Sequence, residues 1–503
     1  MKNLALLLEE SAARFPERPA IFIDGETITY GELDLKAGRI ASGLKELGVQ
    51  KGDRVGIHLS NCSEFVMAYF AILKAGATVV PINVMLKSPE IRYLLSDSGA
   101  RFLFTAEELV PDVEPAIQDL PGFRTAIVIG SSGRHAAFGD LVGNQRSPMN
   151  AVDVDPHEDI AVIFYTSGTT GKPKGAMLTH GNMVFDAVAS AQTFKYTPED
   201  RVLSAMPLFH SAGQTIVITA PFSCGAAMVL LRRFVTERVF QSLKTEKPTV
   251  FVGVPTMFFQ ILNDPQADRF ADNTLRLCLV GAAPIPKSIF DEFVREFEVE
   301  MSEGYGLSEC SPVCAHNPVG GLKKSLSIGV PIIGVDMNIF DDDDRPLAPW
   351  EIGELVVRGA NVMKGYLNRP KESAEALRSG WLHTGDMAYR DWDNYFFIVD
   401  RKKEMILTGG FNIYPREIEE ILFAHEKVSE AAVVGIPDLE KGEKAKAFIV
   451  LKQGESATGR DIIEWCRERM AAYKVPRDVE FVLTLPRNAA GKVLKRVLRG
   501  EKE

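Results

Sequence analysis

Residues 165–175 read Tyr-Thr-Ser-Gly-Thr-Thr-Gly-Lys-Pro-Lys-Gly, and this segment is the most informative stretch of the chain for both fold and chemistry. Its glycines let the backbone turn tightly and point N–H groups at an anion, while hydroxyls and lysines add donors and positive charge. The composition predicts a polyphosphate cradle. It is not a Walker A loop, because no G-x-x-x-x-G-K-[S/T] pattern aligns and Pro173 follows the first lysine. A flexible Gly/Ser/Thr surface loop is the alternative.

The pattern around the cradle is typical of an α/β fold. An apolar run at residues 160–164 precedes the cradle and reads as a strand, and a helical stretch begins near Thr179. Upstream, apolar runs alternate with helical patterns, which predicts parallel sheets covered by helices. The predicted upstream elements are strands at residues 55–59, 78–82, 101–105 and 125–129 and a helix at residues 63–75.

The pattern changes twice towards the C-terminus. Short alternating runs at residues 335–339 and 353–357 flank an acidic turn at residues 341–344, and they predict antiparallel strands in a small β-barrel-like part. A helix at residues 415–423 then opens a run of strands and helices long enough for an independent α+β domain. We expect a large N-terminal domain at residues 1–402 and a smaller C-terminal domain at residues 403–503.

The composition excludes several classes of protein. With 46% hydrophobic and 25% charged residues, the 503-residue chain is not disordered. Its net charge of −10, from 57 Lys+Arg and 67 Asp+Glu, argues against a nucleic-acid partner, because binding phosphate backbones needs a basic face. Six cysteines are too few for a disulfide framework, which indicates a reducing compartment.

No segment predicts export or a membrane span. Residues 4–15 have apolar side chains at helical spacing and form a docking helix rather than a signal peptide. The longest apolar stretch, residues 215–231, is interrupted by Pro221 and falls short of the about 20 apolar residues that a span needs. We expect it to form a buried strand plus a turn, in a soluble cytoplasmic protein.

Further motifs follow the cradle in a fixed order. They are Gly281-Ala-Ala-Pro284, Gly304-Tyr-Gly-Leu-Ser-Glu309, Thr384-Gly-Asp386, residues 400–410 and residues 486–492. Together with the cradle they resemble the motifs of the adenylate-forming superfamily, which comprises acyl-CoA synthetases, carrier-loading adenylation domains and beetle luciferases. The resemblance covers nearly the whole chain. Residues 304–318 and 410–415 look closest to bacterial fatty acyl-CoA synthetases.

The motif residues have physical roles that fit a nucleotide site. Tyr305 offers a flat ring for a purine, Glu309 is a hard carboxylate suited to Mg²⁺, and Asp386 can accept bonds from ribose hydroxyls. The resemblance implies that Thr166 and Glu309 hold the metal and that Arg401 reaches the ribose. It places Gly281 to Ala283 in the wall between the nucleotide and the acyl pocket. The full set of residues to which it assigns contacts with the nucleotide, the acyl group or CoA is Thr166, Ser167, Gly168, Thr169, Thr170, Gly171, Lys174, Gly281, Ala282, Ala283, Tyr305, Gly306, Ser308, Asp386, Arg401, Lys403, Gly409, Gly410 and Lys492.

The resemblance also assigns catalytic roles, to Lys492, Glu309, His210 and Thr166. Lys492 follows Gly491 on an exposed loop and would reach the carboxylate and the α-phosphate, although a surface cation is the plain alternative. His210 resembles the histidine near the acyl carboxylate, whereas a lone histidine is more often a satisfied core residue. Lys403 falls at the hinge between a large and a mobile small domain.

The implied reaction is ATP-dependent ligation of a carboxylic acid to CoA through an acyl-adenylate. A medium- or long-chain fatty acid is the expected substrate, and a cinnamate- or benzoate-type aryl acid is the alternative. Loading of a carrier protein in trans and a nucleotide-binding regulator without catalysis are further alternatives. Residues 250–262, rich in Phe and Met, either line an apolar acyl tunnel or form helix core. Expected partners are the acid, ATP and CoA, but no nucleic acid; peripheral membrane contact and a homodimer stay open.

Overall fold

The computed structural model describes residues 3–143, 146–166, 172–271, 273–408, 411–438, 442–487 and 493–500. The strands are Pro19–Ile23 (β1), Glu26–Thr29 (β2), Arg54–His58 (β3), Thr78–Pro81 (β4), Phe102–Ala106 (β5), Thr125–Ile129 (β6), Ala136–Ala137 (β7), Ile160–Thr166 (β8), Lys174–Thr179 (β9), Arg201–Ser204 (β10), Ala227–Leu230 (β11), Val250–Gly253 (β12), Leu277–Val280 (β13), Met301–Gly306 (β14), Val313–His316 (β15), Val330–Pro331 (β16), Val335–Phe340 (β17), Gly353–Gly359 (β18), Gly365–Tyr366 (β19), Leu382–Arg390 (β20), Phe396–Arg401 (β21), Ile406–Thr408 (β22), Phe411–Ile413 (β23), Val428–Asp438 (β24), Gly442–Leu451 (β25) and Asp478–Phe481 (β26).

The α-helices alternate with these strands along most of the chain. They are Leu6–Arg14 (α1), Tyr30–Glu46 (α2), Ser63–Lys74 (α3), Ser88–Ser98 (α4), Val110–Ile117 (α5), Phe138–Val142 (α6), His180–Thr193 (α7), Ala220–Cys224 (α8), Thr236–Thr245 (α9), Pro255–Leu262 (α10), Asp268–Ala271 (α11), Lys287–Phe297 (α12), Pro370–Ala376 (α13), Pro415–Phe423 (α14), Gly459–Arg467 (α15) and Lys495–Leu498 (α16). A π-helix, Gly213–Thr219, precedes α8.

Two large, mostly parallel sheets form the first part of the molecule. Within the described residues, one sheet has the order β19-β9-β8-β4-β3-β5-β6-β7 and the other β16-β15-β14-β13-β12-β10-β11-β1-β2. Central strands such as β12 and β13 are buried along their whole length, because helices cover both faces and leave no alternation to solvent. The prediction of parallel sheets covered by helices is confirmed.

Antiparallel sheets follow in the C-terminal third. Strands β17, β18, β20 and β21 form one antiparallel sheet, and β23, β22, β25 and β24 form another that β26 joins by parallel pairing. The second sheet packs with α14 and α15 around its own apolar core. A large N-terminal and a smaller C-terminal domain were predicted, and the mixed α/β class with these two parts is confirmed. The boundary at residue 402 stays a prediction.

The cradle joins two antiparallel strands instead of leading directly from strand to helix. Strand β8 ends at Thr166 and pairs with β9, in which Lys174 lies opposite Thr166. Helix α7 then begins at His180, and its N-cap residue Thr179 accepts a hydrogen bond from the backbone N–H of Asn182 at 3.2 Å. The expected helix near residue 179 is present, but β9 was missed because a six-residue strand next to Gly and Lys carries little pattern.

The apolar stretch at residues 215–231 differs from its prediction as a strand plus a turn. Its first half is the buried π-helix followed by α8, and only Ala227–Leu230 forms a strand. A short apolar run fits a buried helix as well as a buried strand, so periodicity alone could not separate them. Gly225, at φ +84°, ends α8. Across the described parts of the chain, no helix combines the length and apolarity that crossing a bilayer requires.

Phenylalanines of residues 250–297 form a compact aromatic core. Phe258 contacts Phe251 and Phe293 with ring centroids 5.3 and 5.0 Å apart, and Phe270 lies 5.3 Å from Phe293 and 4.7 Å from Phe297. Edge-on and tilted contacts at these distances are favourable. Phe258 on α10 and Phe251 on β12 are both fully buried, so the structure favours a core role over the acyl tunnel for these two rings, although Phe251 belongs to a strand and not to a helix.

Candidate active site

The predicted site residues come from strands in three different sheets. Thr166 ends β8, Tyr305 and Gly306 end β14, and Asp386 and Arg401 face each other across β20 and β21. A hydrogen bond of 3.2 Å from Thr166 Oγ1 to Glu309 Oε1 joins the first two sheets. Residues at the carboxyl ends of strands line the crevice where α/β proteins bind ligands.

Glu309 is the centre of an oxygen-rich cluster. Its Oε1 accepts hydrogen bonds from Thr166 Oγ1 at 3.2 Å and from the hydroxyl of Tyr366 at 3.0 Å. Burial, followed by the negative charge of Glu309, raises the pKa of Tyr366, so this hydroxyl stays protonated and donates. One carboxylate and two hydroxyls are hard oxygen donors, the ligand type that Mg²⁺ prefers. The donor set therefore fits the magnesium site that the resemblance implied.

Tyr366 was not identified from the sequence. It lies in the two-residue strand β19, which pairs with β9 so that Tyr366 lies opposite Ala176. The ammonium of Lys174, at the start of β9, stands 5.4 Å from the centroid of the Tyr366 ring. A two-residue strand has no periodicity to read, and only the pairing with β9 brings Tyr366 to Glu309.

Asp386 is the centre of a second cluster, suited to a ribose. Its Oδ2 accepts a hydrogen bond from the Tyr305 hydroxyl at 2.5 Å, and its Oδ1 lies 3.2 Å from Nε of Arg401. Burial, followed by the Asp386 charge, raises the pKa of Tyr305 well above its usual value, so the phenol remains a donor. A carboxylate has about four lone-pair positions, so Asp386 can still accept bonds from two ligand hydroxyls.

Gly306 lies very close to the backbone of Pro312, at the other end of the turn that connects β14 and β15. A Cβ at this position would lie 2.0 Å from the carbonyl oxygen of Pro312, so no other residue fits without movement. Gly281, Ala282 and Ala283 follow the adjacent strand β13, and a Cβ on Gly281 would lie 3.5 Å from the carbonyl oxygen of Gly304. These three residues, which were predicted to separate the nucleotide from the acyl pocket, therefore lie beside the Tyr305 segment.

His210 lies at the start of a helical segment beside the Glu309 turn. Ser211, the next residue, has its hydroxyl 3.1 Å from the hydroxyl of Ser308. Burial lowers the pKa of His210, which favours the neutral imidazole, able to donate from one ring nitrogen and accept at the other. The structure thus brings the His210 segment next to Ser308.

The residues around the predicted hinge contact the turn before Asp386. Lys402 donates its backbone N–H to the carbonyl oxygen of Gly385 at 2.9 Å, and its ammonium lies 2.8 Å from Asp342 of the acidic turn. Glu354, which is buried, accepts the N–H of Gly385 at 3.1 Å. The contact between Lys402 and the acidic turn was not predicted from the sequence. Lys403 itself is exposed.

Several predicted residues fall outside the described parts of the chain. They are Ser167, Gly168, Thr169, Thr170, Gly171, Gly409, Gly410 and Lys492. The roles assigned to them therefore stay predictions, as do the ligand contacts of the residues above.

Comparison with known proteins places the chain among adenylate-forming enzymes. Residues 8–367 match the AMP-binding enzyme family, and residues 417–492 match the AMP-binding enzyme C-terminal domain. The chain is 37% identical to a long-chain-fatty-acid–CoA ligase of Bacillus subtilis (strain 168), over 99% of this chain and 94% of that protein. It is 38% identical to a feruloyl-CoA synthase of Amycolatopsis sp, over 96% of each. The crystal structure of ATP-bound MatB from Rhodopseudomonas palustris superposes with a TM-score of 0.92 at 30% identity, over 99% of each chain.

Proposed function

Since this chain belongs to the AMP-binding enzyme family and is an AMP-forming acid–CoA ligase, we propose that its acid substrate is a medium- or long-chain fatty acid. The observation that carries the ligase chemistry is the contact of Thr166 and Tyr366 with one oxygen of Glu309. The fatty-acid assignment draws support from the long-chain-fatty-acid–CoA ligase that aligns along nearly the whole chain.

In the first half-reaction, a carboxylate oxygen of the acid attacks the α-phosphorus of ATP in line. The new P–O bond forms as the bond to pyrophosphate breaks, which gives the acyl-adenylate and pyrophosphate. Glu309 and Thr166 would hold Mg²⁺, which neutralises charge on the phosphates when bound. Asp386 and Arg401 would fix the ribose, and the Lys492 ammonium would stabilise the negative charge that develops between carboxylate and phosphate.

In the second half-reaction, the CoA thiolate attacks the carbonyl carbon of the acyl-adenylate. The C–S bond forms and the C–O bond to AMP breaks, so AMP leaves with the electron pair and needs no further proton. We assign residues 1–402 and 403–503 to two domains that turn about Lys403 between the steps, with Gly409 and Gly410 admitting the pantetheine arm. Such a motion would let one site serve two transition states.

The test is acid-dependent pyrophosphate release, with and without CoA, across saturated fatty acids of increasing length and several aryl acids. A maximum on medium- or long-chain fatty acids, with acyl-CoA formed, is the expected result. Pyrophosphate release without acyl-CoA would point to a different thiol acceptor. No release with any acid would contradict the ligase function itself.

An aryl acid is the second candidate. The feruloyl-CoA synthase relative is as similar to this chain as the fatty-acid ligase, at 38% against 37% identity. In the same assay, maximal activity with cinnamates or benzoates would support the same two half-reactions but identify an aryl acid, not a fatty acid, as the substrate.

A further inference from the structure

Gln214 is a buried amide that has no hydrogen-bond partner among the described residues. Its side chain is fully buried, and neither Oε1 nor Nε2 has a partner among the residues that the structure describes. Most buried polar groups in proteins are hydrogen-bonded, and an unpaired buried amide lowers stability. A group of this kind therefore needs a partner that the described protein groups do not supply.

The position of Gln214 links it to the acid. Its backbone N–H donates to the carbonyl oxygen of His210 at 3.1 Å, so the two residues lie one helical turn apart and on the same face. Four residues of helix rise about 6 Å. His210, half-buried, is the residue that the resemblance assigns to the acyl carboxylate, and Gln214 is fully buried. The amide would accordingly meet the acid several bonds beyond its carboxylate.

Gln214 belongs to a group of buried polar side chains on two helices that pack together. Thr219 follows it by five residues in the π-helix, and Ser190 lies on α7, which packs against the π-helix. Both hydroxyls are fully buried and have no partner among the described residues. Asp186, a turn before Ser190, accepts the N–H of Val313 at 3.1 Å through Oδ2. The two packed helices therefore carry several buried polar groups without a described partner, among apolar neighbours such as Val217 and Ile218.

We propose that Gln214 is a specificity-determining residue whose amide hydrogen-bonds an oxygen substituent on the acid, so that the preferred acid carries a hydroxyl, ether or keto oxygen several bonds from its carboxylate. The proposal rests on the proposed function and narrows it. A side-chain amide both donates and accepts, which matches a hydroxyl best. The oxygen can belong to an aliphatic chain or to an aromatic ring, and the chemistry at Gln214 is the same in both.

The proposal implies an asymmetric preference. An unsubstituted acid would cover the Gln214 amide without pairing it, whereas an oxygen-bearing acid would satisfy it. Sites built to hydrogen-bond a substrate oxygen discriminate strongly against the analogue that lacks it, because the protein group is then left unpaired. Replacing the amide by an apolar group should remove this discrimination.

The experiment compares matched pairs of acids with the full-length protein, using acyl-CoA formation as the readout. One arm pairs a saturated fatty acid with hydroxylated acids of the same length, and the other pairs cinnamate with its ring-hydroxylated and ring-methoxylated forms. The variant Gln214→Met keeps an unbranched side chain of similar length but removes the amide. Gln192→Met, the same change at an exposed position of α7, is the control.

We expect the wild type to favour the oxygen-bearing acid in one of the two arms. That arm shows whether the oxygen belongs to an aliphatic chain or to an aromatic ring. Gln214→Met should lower the ratio of kcat/KM between the paired acids by about 10- to 100-fold, and Gln192→Met should leave that ratio unchanged. A purely structural defect would lower both members equally and keep the ratio.

Two results overturn the proposal and leave the ligase function intact: a ratio unchanged within threefold in Gln214→Met, or a wild type that favours the unsubstituted acid in both arms. The second result is measured on the wild type alone, so it tests the proposal even if Gln214→Met does not fold. Failure to form acyl-CoA from any acid would overturn the proposed function as well.

Discussion

Replacing Gly306 by alanine should slow adenylate formation about a hundredfold while the chain remains folded. A Cβ at this position would lie 2.0 Å from the carbonyl oxygen of Pro312 and 2.8 Å from its carbonyl carbon. Ordinary van der Waals contact begins at 3.4 Å, so the oxygen must retreat by about 1.4 Å, the difference between 3.4 and 2.0 Å. The same oxygen accepts the N–H of Leu307 at 3.0 Å, so its retreat would strain or break that bond.

The retreat matters because the same turn carries Glu309, the carboxylate proposed to hold Mg²⁺. Ser308 and Glu309 lie between Leu307 and Pro312, and Glu309 must stay within hydrogen-bond reach of Thr166 and Tyr366. A misplacement of about 1 Å at a reacting centre can cost a factor of about 10² in rate. The overpacking itself should lower the free energy of unfolding by about 1–3 kcal/mol, which a domain of ordinary stability survives.

The assay is acid-dependent ATP–pyrophosphate exchange, combined with urea unfolding of the same preparations. Gly139→Ala is the matched control, because Gly139 lies in α6 at an exposed position where a Cβ meets no atom within 4 Å. It should change neither exchange nor stability by more than a small amount. A folded Gly306→Ala variant that retains exchange within about threefold of wild type would refute the link between this close contact and the position of Glu309.

The remaining predictions address single groups. Lys492→Ala should slow ATP–pyrophosphate exchange by on the order of 10²–10³; normal exchange with failed thioester formation would contradict its role. Tyr305→Phe removes a hydrogen bond to the Asp386 carboxylate and should raise the KM for ATP about tenfold, with the KM for CoA as internal reference. Phe270→Ala should lower the unfolding free energy in urea by about 3–5 kcal/mol, yet leave the acid preference unchanged, because this ring belongs to the aromatic core. Burial raises the pKa of Glu303 from 4.5 to about 7, so between these two pH values the native state binds more protons than the unfolded state. Wild-type stability should therefore fall as pH rises from about 5 to 7, and Glu303→Gln should remove on the order of 2 kcal/mol of that fall; identical pH profiles for the two proteins would contradict this.

The sequence by itself determined the elements whose pattern is local. The strand Thr125–Ile129 and the helix Pro415–Phe423 have the bounds that their apolar spacing predicted. Hydrophobic periodicity is written within a few consecutive residues, so it can be read without knowing the rest of the fold. The alternation of strands and helices, and with it the class of sheet, follows from the same local signals.

The motifs likewise identified most of the residues that contact one another in the candidate site. Glu309 and Asp386 were chosen from the sequence as a metal carboxylate and a ribose acceptor, and both lie in oxygen-rich clusters with other predicted residues. Tyr366, which contacts Glu309, and Gln214, four residues after His210, were missed. Neither lies in a local pattern, because one stands in a two-residue strand and the other in a π-helix that reads equally well as a buried strand.

Only the tertiary structure decided which of these groups meet. Thr166 and Glu309 are 143 positions apart, and Tyr366 is a further 57 from Glu309, so their contacts depend on strand order and pairing in two different sheets. Packing also decided that Phe251 and Phe258 fill the core. Residue type and spacing encode what a side chain can do, whereas long-range sheet pairing and burial determine which partners it has.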